Sequence, residues 1–92
     1  MKPEDVKPTL IQVIQNIQHD SGYGGVPING STCPPNDLEG FDSKIWPVAT
    51  GILATELGVD IPVDKNIFIA RDGKRRLTVD EVVAVVCEII NN

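Results

Sequence analysis

The chain has 92 residues, a formal net charge of -5 and a pI near 4.6; that length suits one domain, residues 1–92, burying roughly 60–65% of its unfolded surface, and leaves no room for a second. An acidic surface repels a phosphate backbone, so nucleic acid is not an expected partner. The opening MKPEDVKPTL lacks the apolar core of a secretory signal, and the longest apolar run, Val82 to Cys87, is six residues, against the roughly 18–20 that cross a bilayer, so a cytoplasmic protein with no membrane span is expected.

Val6, Leu10, Val13, Ile14 and Ile17 recur at three- and four-residue spacing and predict a first amphipathic helix ending near His19 to Gly22. Pro3 suits a first turn. Pro8 removes a hydrogen bond and crowds the preceding turn, which sets the expected start of the regular helix at Lys7 or Pro8. Residues 20–41 carry five glycines, three prolines and no sustained period, and so read as a long loop.

Ile45, Val48, Ala49, Ile52, Leu53 and Leu57 predict a second helix, with Gly58 as its C-terminal cap and Ser43 as a candidate N-cap. Pro47 makes the first turn irregular or delays the regular helix. In IPVDKNIFIARDGKRR, Asp64 can cap a short helix through Phe68, while Asp72-Gly73 is the centre of a possible hairpin. The short helix is the expectation, because a lone hairpin among helices has no third strand to support it. Thr78 and Glu81 then have capping-box spacing, and Val79, Val82, Val83, Val86, Ile89 and Ile90 line one face of a last helix. An all-α four-helix bundle follows, with three longer helices, one short, and the long loop between the first two.

Few residues suggest chemistry. The single histidine, His19, reads as a solvated helix-end residue. Cys33 and Cys87 read as free thiols, one in a loop and one buried; a thiol or metal protein using them with His19 is the weakest alternative. The GYGG at 22–25 lacks the Gly-Lys-Ser/Thr of a phosphate loop and reads as a flexible turn. Arg71, Lys74, Arg75 and Arg76, interrupted by Asp72 and Gly73, read as a solvated turn. Trp46 and Phe41, flanking Asp42-Ser43, read as core or loop anchors.

Read through residue 62, GFDSKIWPVATGILATELGVDIP resembles the acyl carrier protein family. Gly40, Asp42 and Ser43 match that family's Gly-x-Asp-Ser before its second helix, and Asp60, Ile61 and Pro62 match the acidic-Ile-Pro turn that follows at a fixed interval. LTVDEVVAVVCEII is similar to the last helix, and the first helix with its long loop is similar to the opening. Lys44 stands where leucine is usual, and RDGKRR is longer and more basic than the family's corresponding loop.

The resemblance implies an acyl-carrier-like bundle that is not itself an enzyme. Ser43 would receive a covalent 4'-phosphopantetheine from coenzyme A, whose thiol carries acyl groups as thioesters, and Asp42 would help the transferase hold its magnesium. The implied partners are a phosphopantetheinyl transferase and acyl-transferring or acyl-modifying enzymes meeting a monomer at Lys44, Ile45 and Glu56. The alternative is an unmodified carrier-like interaction module in which Ser43 serves only as the helix N-cap.

Overall fold

A computed structural model describes residues 1–62, 65–70 and 72–91. It has four helices, α1 (Pro3–Asp20), α2 (Pro34–Asp37), α3 (Trp46–Leu57) and α4 (Val79–Asn91), and no strand among the described residues. None of these helices is long and apolar enough to cross a membrane. Three are longer and one short, as the sequence leads one to expect, but the short one lies elsewhere in the chain.

Helix α1 carries its predicted apolar stripe: Val6, Leu10, Val13, Ile14 and Ile17 are all buried, and the helix packs against both α3 and α4. It starts at Pro3 rather than at Lys7 or Pro8, and runs through Pro8. Pro8 is exposed, so its ring meets solvent, and the carbonyl of exposed Glu4 that it leaves without an amide can bond to water. At the start, the Asp5 carboxylate accepts the Lys2 amide at 3.3 Å.

The expected long loop is broken by α2. Pro34 and Pro35 occupy its first positions, where a missing amide costs nothing and the fixed φ suits a helix, and the Cys33 amide donates to the Asp37 carboxylate at 2.8 Å. Just before α2, the carbonyls of Gly30 and Thr32 accept the amides of Asp80 and Val79 at 3.0 and 2.8 Å. The loop therefore satisfies donors that α4 leaves open at its own start. A Cβ at Gly30 would stand 2.3 Å from the Asp80 carboxylate, an exposed side-chain end that would have to swing aside to admit it.

Helix α3 starts late, as Pro47 requires, with Pro47 in its first turn and Ile45 as the N-cap. Gly58 ends it at φ +67, in the left-handed region. The predicted short helix capped by Asp64 does not form: Asp64 itself lies outside the described residues, and residues 65–70 are not helical. Here the hairpin pairing prevails, with Ile69 bridged to Arg76, the Leu77 amide donating to the Phe68 carbonyl at 3.0 Å, and Ala70 to Arg75 at 2.8 Å. The Asp72 carboxylate accepts the Lys74 and Arg75 amides across the turn. No third strand is needed because Ile67, Phe68 and Leu77 are buried in the helical core.

The capping box of α4 is formed: the Thr78 amide donates to Glu81 at 3.0 Å and the Glu81 amide to the Thr78 hydroxyl at 3.3 Å. Arg75 also pairs with Glu81. The Thr78 amide first, and then Arg75, hold the Glu81 carboxyl below its ordinary 4.5. A carboxyl lowered in the folded state stabilises above its unfolded value and loses that contribution as pH falls through the folded one. The thermal midpoint should therefore decline below about pH 4.5, and Glu81→Gln should make the decline shallower in scans taken between about pH 5 and pH 3.

Candidate functional site

The segment before α3 is fixed at both ends and open in the middle. Phe41 is buried and meets Phe68 edge to face, ring centres 5.2 Å apart. Trp46 is half-buried, and its indole N–H donates to the Phe41 carbonyl at 3.3 Å. Both therefore anchor the loop. Between them, the Asp42 carboxylate accepts the Lys44 amide at 3.0 Å and the Asp42 carbonyl accepts the Ile45 amide at 3.0 Å. This is an Asx turn, in which aspartate satisfies the backbone locally.

Ser43 sits at the crest of that turn, exposed, and its hydroxyl has no hydrogen-bond partner among the described residues. It is not the N-cap of α3. That place belongs to Ile45, whose carbonyl accepts the Ala49 amide at 2.9 Å. The cause is Pro47, which shifts the helix start to Trp46 and leaves Ser43 in the turn ahead of it.

A recess of about 290 Å³ opens beside Ser43 and is walled by Pro35, Leu38, Gly40, Trp46 and Arg76, among others. Arg76 arrives from the far side of the hairpin turn, its guanidinium donating to Asn36 Oδ1 on α2 at 2.7 Å. The sequence predicts a solvated turn for it; α2 and the hairpin instead bring this cation to the wall of the recess that Ser43 also lines. Nothing local in the sequence carries that signal.

Gly40 is required twice. Its φ is +75, and a Cβ there would come within 2.5 Å of the Tyr23 ring, so the GYGG turn serves to lay Tyr23 over the loop. Gly40→Ala should cost about 1–2 kcal/mol for the left-handed backbone alone, plus the clash. In a Tyr23→Ala background the same substitution should cost less by the steric part, as urea melts of the four proteins would show.

The residues expected to meet partners are placed unequally. Lys44 and Glu56 are exposed, whereas Ile45 is half-buried against the core. Val48 and Ile52 belong to the apolar pattern of α3 yet are 51% and 40% exposed. Helix α3 is apolar nearly all round and has more such residues than the core can cover. His19 is exposed beside Asp20, Cys33 precedes α2, and Cys87 is buried on α4. No group of three or more metal-ligating side chains occurs among the described residues. Comparisons of the chain with protein-family models, with curated proteins and with solved structures return no match.

Proposed function

We propose that the protein is an acyl carrier, modified on Ser43 by 4'-phosphopantetheine. The observation that supports this most is Ser43 itself: an exposed hydroxyl with no hydrogen bond among the described residues, on a turn held by Phe41 and Trp46. A nucleophile offered to another enzyme needs that combination of access and fixed position. The surroundings suit a phosphodiester, since Arg76 lines the adjoining recess and can offset its charge.

In the attachment step, Ser43 Oγ forms a bond to the pantetheine-side phosphorus of the coenzyme A diphosphate. The bond to the other phosphate breaks, adenosine bisphosphate leaves, and the serine proton passes to a base of the transferase. Asp42 uses one carboxylate oxygen in the Asx turn and offers the other to the transferase's magnesium, a hard cation that takes carboxylate oxygens. The bound arm supplies a thiol for acyl thioesters. The chain contributes position and surface rather than catalysis, and works as a cytoplasmic monomer visited by acyl-transferring or acyl-modifying enzymes.

Those enzymes would dock at Lys44 and Ile45, just ahead of α3, and at Glu56 near its end. Exposed Val48 and Ile52 give this face an apolar character with few charges, so docking there should depend only weakly on salt. The same face favours a second reading, an unmodified interaction module that binds through α3 alone. Intact mass after treatment with a phosphopantetheinyl transferase separates the two: one added arm supports the carrier, and none supports the module.

A further inference from the structure

A second, larger groove of about 760 Å³ shares Trp46 and Arg76 with the Ser43 recess. Its wall is amphipathic. Ile69, Val85 and Ile89 supply apolar surface, while Lys65, Lys74 and Arg76 bring three cations to it. Glu88 also lines the groove, and it is already engaged in a contact. Lys65 and Lys74 make no ion pair among the described residues. In a chain of net charge -5, this is a local reversal of sign around an apolar floor.

The size decides what kind of occupant fits. Small-molecule pockets run from about 300 to 1,000 Å³, and a few polar groups on an apolar wall set their specificity. The polar groups here are cationic. We infer that this groove binds an amphipathic anion, an aliphatic chain ending in a carboxylate. The chain would lie on Ile69, Val85 and Ile89, and the carboxylate against Lys65 and Lys74. Since the groove and the Ser43 recess share two walls, the natural source of such a ligand is acyl cargo delivered from Ser43 that carries a second carboxyl at its far end, its near carboxyl being held as the neutral thioester; that identification rests on the carrier reading, whereas the binding itself does not.

Trp46 is the only tryptophan and lines the groove, so its fluorescence reports occupancy without a label. The unmodified protein is titrated at low salt with monomethyl suberate, an anion, and with dimethyl suberate, its neutral counterpart of equal chain length. The half-saturation concentration is expected to be about three- to tenfold lower for the anion, the size of one or two partly exposed ion pairs. That preference should vanish in Lys65→Gln/Lys74→Gln and at about 1 M salt, where the Debye length falls to about 3 Å. Both lysines are exposed, so the double variant should keep its thermal midpoint. Equal half-saturation for the two esters, no response to either, or a preference that survives the double substitution would overturn the inference. Loading of Ser43, read separately by mass, keeps the two ideas distinct: an added arm without anion preference removes only the groove assignment, and anion preference without an added arm removes only the carrier reading.

Discussion

Incubated with coenzyme A, magnesium and a broad-specificity phosphopantetheinyl transferase, the protein should gain the mass of one phosphopantetheine, and Ser43→Ala should gain nothing. The effect is all or none because no other atom can replace the Oγ that forms the new bond to phosphorus. The same substitution separates attachment from capping. A serine that caps a helix costs about 1 kcal/mol when changed to alanine. Ser43 is exposed, its hydroxyl makes no hydrogen bond among the described residues, and Ile45 holds the cap position. Ser43→Ala should therefore leave stability within about 0.5 kcal/mol of the parent in urea melts. Asp42→Asn is the finer variant: its amide oxygen can still accept the Lys44 amide and keep the Asx turn, while the negative charge is lost. It should be modified more slowly and still fold normally. If several transferases leave the parent mass unchanged, the interaction module becomes the leading reading, and the exposed apolar face of α3 its binding surface.

What the sequence revealed and what it hid divide along the range of the interactions. Val6, Leu10, Val13, Ile14 and Ile17 were legible as a buried stripe because helical periodicity is local, and so was the Thr78–Glu81 box, a pattern spanning four residues. The delayed start of α3 is readable for the same reason, from Pro47, whereas Ser43, a candidate N-cap by its place ahead of the helix, stands in an Asx turn with Ile45 at the cap. Helix α3 shows the limit: with apolar residues nearly all round, spacing could not say that Ala49 and Leu53 turn inward while Val48 and Ile52 face out. Segment 65–70 was misjudged because the burial of Ile67 and Phe68 outweighs the local signal for a helix. At the site, Tyr23 over Gly40 and Arg76 beside Ser43 join residues far apart in the chain. Only the packed core brings them together, and no short motif encodes it.

Phe68→Ala should be the most damaging single truncation in the core that supports the site. Phe68 is fully buried, meets Phe41 edge to face at 5.2 Å, and stands 6.4 Å from the Trp46 ring centre. Removing a buried phenyl ring typically costs about 3–5 kcal/mol, from lost transfer energy and the cavity left behind. Small domains hold only about 5–15 kcal/mol in total, so the variant should be partly unfolded at physiological temperature, with a lower urea midpoint and an unchanged slope. Phe68→Leu refills much of the space and should recover most of that loss. The local consequence is as informative as the global one. Phe41 and Trp46 hold the two ends of the Ser43 turn, and both rings stand against Phe68. In the fraction of Phe68→Ala that remains folded, Trp46 emission should therefore shift toward that of a solvated indole, and amide exchange at residues 41–45 should accelerate. A loss under about 1 kcal/mol, well below the usual cost of a buried ring, with Trp46 emission unchanged, would show that the helices alone hold the turn and that the aromatic cluster does not.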